Sequence, residues 1–268
     1  MQSSFTLPNI SVIIPCFNAA ATLARALESC IAQPEATQII VVDDGSADDS
    51  KAIASRYAAR FPSVKLLSLN QNSGAARARN WGAMHADFPV LAFLDADDEY
   101  LPEALNDAAT FLASRPQDAS VRLNMEFAGF PEAVGSHPAF EELGTKLVST
   151  VPSSLVIRRS AFMALGGFPC DELFRTCGGE DMPLSRALAE LFGNPRMTGR
   201  KGVRMHFHPR IHALKFFNIN MRFTTDDNPQ QTAIVLDRQL RVARRMVDDV
   251  NEIRALHKLA RAGGSDAS

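Results

Sequence analysis

Four times in the first half of the chain, a short apolar run breaks off at a polar turn and gives way to helical spacing. Ile10 to Phe17 leads into Ala19 to Ala32. Gln38 to Val42 ends at Asp43-Asp44-Gly45-Ser46 and leads into Asp48 to Phe61. Val64 to Leu69 ends at Asn70 and leads into Ala75 to Ala86. Pro89 to Leu94 ends at Asp95-Ala96-Asp97-Asp98 and leads into Pro102 to Ser114. Runs that stay apolar instead of alternating have no face to offer water, so they need cover on both sides. The alternation therefore predicts an α/β fold with a mostly parallel central sheet flanked by helices. In such sheets ligands gather outside the carboxyl ends of the strands. Asn18, Asp44, Asn72 and Asp95 all fall at those ends and would meet along one rim.

The second half is less regular. Val121 to Ala128 and Val151 to Arg158 predict strands, and Phe130 to Thr145, with its Gly and Pro, reads as loop. A short helix and the turn Gly166-Gly167-Phe168-Pro169 follow, then a helix over Glu180 to Leu191. Pro229 to Ala262 predicts one long helix or a broken pair, with apolar positions Leu236, Leu240, Ala243, Val247, Val250 and Ile253 stepping by three or four. Gly263 to Ser268 is expected to be disordered. At 268 residues and 46% apolar content, the chain has room for one large domain or for one domain plus an appendage; the expected division is a domain over 7–215 and a helical extension over 216–268. A net charge of -2 argues against a dedicated nucleic-acid binder. The four cysteines show no zinc or CxxC spacing and read as free thiols in a reducing compartment, with a Cys170–Cys177 bridge left open. Met1 to Pro8 lacks the basic start and apolar core of a leader, and no run reaches the roughly 18 apolar residues of a membrane span. The expectation is a cytoplasmic protein, at most peripheral at the inner face of a membrane.

The chemistry concentrates at the strand ends. Asp95, Asp97 and Asp98 place three carboxylates within four positions after a buried run. Such a cluster resists desolvation and repels itself, and a hard divalent cation is one resolution; a solvated, helix-capping turn is the other. At Asp43-Asp44-Gly45-Ser46 a carboxylate can accept the N3–H of a uracil or simply cap the next helix. Pro15, Phe17 and Asn18 offer backbone groups and a ring near the same base, although a lone Phe is more often core. In Asn72-Ser73-Gly74, Gly74 lets the backbone approach a ligand at a helix start. Arg77 and Arg79 cannot share a face of that helix, and Arg79 is read as pointing to a diphosphate or an active-site acid. Arg204 to His212 packs three histidines and two arginines into nine residues; alternation would put His206 and His208 on one face if this is a strand. A basic surface loop explains the cluster equally well.

These spaced motifs together closely resemble the family 2 glycosyltransferases, inverting enzymes of the GT-A fold. The resemblance is strong from Ile10 to Glu99. It continues more loosely through Ser153 to Arg159, Gly166-Gly167-Phe168 and Gly179-Glu180-Asp181. It implies a GT-A domain over 7–215 that moves a single sugar from a nucleotide-sugar, UDP-linked, to an acceptor hydroxyl. It further implies that Asp44, with Asp43, holds the uracil. Asp95 would touch the ribose or sugar with Ala96 beside it, and Asp97, with His208, would bind Mn²⁺ or Mg²⁺. Asp98 is a candidate second ligand. Asp181 would be the general base, whereas Glu180 is its non-catalytic neighbour. The acceptor would be a glycan or a lipid-linked one. The absence of a Gln-x-x-Arg-Trp stretch argues against a processive synthase. Two other readings are carried: a non-catalytic nucleotide-sugar-binding protein of the same fold, and an Asp-nucleophile phosphatase. The basic terminal helix (Arg238, Arg241, Arg244, Arg245, Arg254, Lys258, Arg261) could pack on the domain, lie on an anionic membrane or pair with a second copy as a homodimer.

Overall fold

The computed structural model describes residues 7–209 and 211–263. Arg210, the first six residues and the tail after Gly263 lie outside them. So do the side chains of Lys258 and Arg261.

The first half follows the expected alternation: β1 (Ile10–Cys16), α1 (Leu23–Ile31), β2 (Gln38–Asp43), α2 (Ser50–Arg60), β3 (Val64–Ser68), α3 (Ala75–Met84) and β4 (Val90–Phe93). A two-residue strand β5 (Glu99–Tyr100), α4 (Ala104–Ser114) and β6 (Ser120–Ala128) come next. The span expected to be loop instead holds two helices, α5 (Glu132–Gly135) and α6 (Phe140–Val148). Leu143 and Val148 give α6 a buried face, and Glu141 and Glu142 in its first turn suit the helix dipole. The strand expected from Val151 starts only at Leu155, because Pro152–Ser154 forms a 3₁₀ turn before β7 (Leu155–Arg158). Then come α7 (Arg159–Ala164), α8 (Glu172–Cys177), α9 (Asp181–Phe192), β8 (Arg196–His206), α10 (His212–Asn220) and α11 (Pro229–Gly263). Of the two forms left open for the terminal segment, a single unbroken helix is observed.

One eight-stranded sheet runs in the order β3-β2-β1-β4-β7-β6-β8-β5. The first four strands are parallel, so their carboxyl ends share one rim. β7 is antiparallel to both β4 and β6, β8 is parallel to β6, and β5 caps the far edge antiparallel to β8. Successive side chains of β1 feed opposite layers: Val12 and Ile14 pack into one buried cluster and Ile13 into the other. Phe93 closes the second layer against Phe162 and Phe168, with ring centroids 5.2 Å away in each case. α11 joins that layer, its Val247 and Val250 sharing the cluster of α9's Leu184, Ala187 and Leu188. Of its six stepping apolar residues only Ala243, Val247 and Val250 are buried; Leu236, Leu240 and Ile253 face out. No described helix is long and apolar enough to cross a membrane. All four cysteines are free thiols, which removes the Cys170–Cys177 bridge.

Candidate functional site

The rim formed by β1, β2, β3 and β4 is tied together by its own polar residues. Asn18, at φ 50, adopts the left-handed conformation that Asn tolerates best among side-chain-bearing residues. Its Oδ1 accepts the Ala47 N–H at 2.8 Å, and its N–H donates to Ser46 Oγ at 3.0 Å. Asp43 Oδ1 accepts the Ser46 N–H at 3.3 Å. Asp44 uses both carboxylate oxygens, accepting the Ser73 and Gly74 N–H groups at 2.8 Å each. That pair of bonds fastens the end of β2 to the start of α3. Burial pushes the Asp44 carboxyl above its usual range, and the two backbone donors only partly offset it. Gly45, at φ +74, lets the loop pass: a Cβ there would lie 2.8 Å from the Gln71 carbonyl carbon. Phe17 is not core but stands 47% exposed on this rim, and Asn72 is exposed as well.

Further along the rim opens a cavity of about 580 Å³, lined among others by Gly74, Arg79, Asp95, Asp97, Asp181 and His208. Six site residues expected from the sequence thus meet around one space, although Asp181 and His208 lie far from the others in the chain. Pro15, Phe17, Asn18, Asp43, Asp44, Asn72 and Ala96 do not line it.

Arg79 is the electrostatic centre. It is 5% exposed, and its Nη2 meets Asp95 Oδ1 at 2.6 Å while Nη1 meets Glu180 Oε1 at 3.0 Å. Its guanidinium also lies 5.2 Å from the centroid of the Phe168 ring. Arg77 also borders the cavity but takes no acid, donating from Nη1 to Ser73 O at 2.9 Å and from Nη2 to Cys170 O at 3.4 Å. Because Glu180 is taken by Arg79, the Asp181 carboxylate at the first position of α9 is left to face the cavity. Burial, reinforced by Glu180, pushes the Asp181 carboxyl up to about 6, against the pull of Arg79 and Arg122.

At the other side of the cavity His208 Nε2 meets Asp97 Oδ2 at 2.9 Å. Burial raises the Asp97 carboxyl, Asp95 adds to the rise, and His208 opposes it. Asp98 is almost wholly buried, 2% exposed, and bonds Ser153, so its carboxyl is held well above its usual range, by burial first and then by Asp97 and Asp95. Asp97 and His208 therefore present one oxygen and one nitrogen donor amid surplus negative charge. That set fits a divalent ion of intermediate hardness completed by phosphate oxygens and water. Among the described residues no third His, Cys, Asp or Glu joins them to form a ready-made metal cage.

Several contacts that shape the site were not legible in the sequence. Ser153 Oγ accepts the Asp95 N–H at 3.0 Å and so holds the acidic turn. Arg122, buried without a carboxylate partner, donates to Val151 O at 2.8 Å, Ser154 Oγ at 3.1 Å and Ser185 Oγ at 2.7 Å. Ser185 Oγ in turn donates to Asp181 O at 2.8 Å. β5 pairs Glu99 with Arg204 of β8, and Arg204 bridges Glu99 at 2.7 Å and Glu126. β8 ends at His206, which turns to Glu99 at 3.2 Å, so His206 and His208 serve different acids, and His208 lies beyond the strand whose alternation would have aligned them. This strap brings the chain after β8 to Asp97.

The model of glycosyl transferase family 2 matches residues 11–163. The succinoglycan biosynthesis protein ExoU of Rhizobium meliloti is 30% identical over 201 residues, 68% of this chain and 57% of its own length. The chain thus spans little more than half of that relative. Among solved structures, Staphylococcus aureus TarS in complex with UDP-GlcNAc superposes with a TM-score of 0.62 at 22% identity, covering 77% of this chain and 60% of that one. The mannosyltransferase PcManGT of Pyrobaculum calidifontis, in complex with GDP-Man and Mn²⁺, gives 0.59 at 19% identity, over 98% of this chain and 81% of that one. At these identities the two structures carry the fold: a GT-A architecture with a helix appended at its C-terminal end.

Proposed function

The chain belongs to glycosyl transferase family 2, and from that premise we propose that it moves one sugar, with inversion, from a UDP-linked donor to an acceptor hydroxyl, with Asp181 as general base. One observation carries the reading. Arg79 takes Glu180 and leaves Asp181 unpaired, at the mouth of α9, in the same cavity as Asp97 and His208.

Inversion needs the acceptor oxygen to reach the anomeric carbon from the face opposite the diphosphate. As the new C–O bond forms, the bond to the diphosphate oxygen breaks, the diphosphate leaves with the electron pair, and the acceptor proton passes to a carboxylate. Asp181 suits that task. A base whose conjugate acid sits near 6 is stronger than an ordinary carboxylate, yet about nine-tenths ionised at pH 7. Arg79 holds Asp95 in place to meet the donor's ribose or sugar. The acids at the end of β2 support a uracil donor: each Asp44 oxygen keeps a second lone pair beside its backbone bond. Asp97 and His208 would hold the divalent ion, and the imidazole favours Mn²⁺ over Mg²⁺. When bound, that ion would offset the charge gathering on the departing diphosphate. Residues 7–215 would supply all of this chemistry, with the segment from 216 onward as an extension.

Calorimetry with UDP and Mn²⁺ tests the assignment. Asp97→Ala is expected to lose the Mn²⁺-dependent part of UDP binding. Asp181→Asn is expected to bind UDP as the unaltered chain does and to transfer nothing. Equal loss of binding in both variants would contradict it. A thermal-shift series with UDP-, GDP- and dTDP-sugars tests the base: a larger shift with GDP or dTDP would overturn the uracil assignment.

A further inference from the structure

Two consecutive residues of α11 grip both ends of the segment that carries α8 and leads to Asp181. Arg238 Nη2 meets Asp171 Oδ2 at 2.6 Å. The same Asp171 caps α8, accepting the Leu173 N–H on Oδ1 at 2.9 Å. Gln239, 9% exposed, donates from Nε2 to Gly179 O at 2.9 Å. Gly179 has φ +93, and a Cβ there would come within 2.3 Å of that Nε2, so the amide can seat only against a glycine. Upstream, the segment is anchored to α3, where Asn80 Nδ2 donates to Phe168 O at 2.7 Å and Asn80 Oδ1 accepts the Phe168 N–H at 2.8 Å.

Between these anchors the chain has little packing of its own. α8 is six residues long and buries one side chain, Phe174. Yet Phe174, Arg175, Thr176 and Cys177 form a wall of the cavity, and Asp181 follows Gly179 by two positions. Segments with few buried contacts open locally at low cost unless something outside them pins them. Here the pin is the C-terminal helix.

We propose that Arg238 and Gln239 are positioning residues for the transfer step: from α11 they fix the α8 wall and, through Gly179, the place of the Asp181 carboxylate. The proposal rests on Asp181 acting as the base. A base works only within hydrogen-bond reach of the hydroxyl, and a shift of about 1 Å costs on the order of 10²-fold in rate. Asp43, Asp44 and the Asp97–His208 pair are held differently, at the ends of β2 and β4 and by the β5–β8 strap, so they do not depend on this grip.

Gln239→Glu tests it by keeping the shape while facing the Gly179 carbonyl with an acceptor; Arg238→Ala removes the ion pair at an exposed position. The readout is UDP release from the best UDP-sugar of a panel, with UDP–Mn²⁺ calorimetry beside it. Gln239→Glu is expected to lower kcat about tenfold or more, and Arg238→Ala about two- to fivefold, both keeping UDP affinity within about twofold. In Arg238→Ala, which brings no new carboxylate near Asp181, the acid limb of kcat/KM should also move to lower pH. A loosened Asp181 gains water, while Glu180, Arg79 from α3 and Arg122 from β6 still face it. A purely structural role would instead lower the melting temperature and the UDP affinity together and leave the limb in place. Normal kcat in a Gln239→Glu chain that binds UDP overturns the proposal. If that variant does not fold, the same result in Arg238→Ala overturns it. If the unaltered chain neither binds UDP nor releases it from any sugar, the reading of the function has failed, not the grip.

Discussion

Replacing Asp181 by asparagine should abolish transfer and stabilise the fold at once. Its carboxyl is lifted from 3.8 to about 6, chiefly by burial and by Glu180. At 1.36 kcal/mol per pH unit, keeping it ionised in the folded chain costs about 3 kcal/mol, and about 2 kcal/mol once its residual exposure is allowed for. The sign follows from proton counts. Between 3.8 and about 6 the folded chain binds this proton more tightly than the unfolded chain, so stability falls as pH rises through that window and the full cost stands above it. Asparagine carries no such cost. Asp181→Asn should therefore be about 2 kcal/mol more stable than the unaltered chain at pH 7.5, about half of that at pH 5, and equal to it near pH 3. Urea unfolding at the three pH values measures the difference, while UDP release should fall about 10²- to 10⁴-fold. An asparagine variant no more stable than its parent at pH 7.5, or a gain that does not change with pH, would refute the argument that this carboxylate is held against its preference for water.

The same geometry yields three further expectations. The kcat/KM of the unaltered chain should drop about tenfold per pH unit below about 6; a flat profile down to pH 4.5 would exclude Asp181 as the base. Arg79→Met should destabilise the fold by about 2–4 kcal/mol in urea, because it strands two carboxylates; the value is below that of a fully closed pair since Asp95 and Glu180 keep 30% and 17% side-chain exposure. An unchanged urea midpoint would show that Arg79 does not hold the acids. Glu99→Gln should slacken the β5–β8 strap and weaken Mn²⁺-dependent UDP binding about 10- to 100-fold, leaving UDP binding without metal unchanged; equal metal dependence in both chains would separate the strap from His208.

The half of the fold that was legible in the sequence is the half whose strands are buried on both faces. β1 and β2 are continuous apolar runs, and their ends are marked by Asn18 and by Asp43-Asp44-Gly45. β8 hid itself because Arg196 to Arg204 is rich in charge and partly exposed, with only Val203 and Met205 as buried apolar side chains near its end. α5 and α6 hid behind Pro131, Gly135 and Pro138, which punctuate the segment, although Leu143 and Leu147 already stood at helical spacing. α8 is too short for any period to show. The site divides along similar lines. That Arg79 would point to an acid could be argued from its helix phase. That it would bind two, one of them 101 residues away and beside the proposed base, is a consequence of topology that no local pattern encodes. His208 was within reach of the sequence; its route to Asp97 through Glu99 and Arg204 was not. Gln239 is farther still, a polar residue on a long surface helix whose partner is a backbone carbonyl.

The central claim is that the cavity between Arg79, Asp97, His208 and Asp181 receives a nucleotide-sugar through its diphosphate. Crystals of the chain grown with Mn²⁺ and an intact UDP-sugar, with data collected at the manganese absorption edge, test it most directly. An anomalous peak is expected between Asp97 and His208, with diphosphate oxygens on it and the anomeric carbon facing Asp181 across an open space. A donor bound elsewhere with no peak at Asp97 would contradict it.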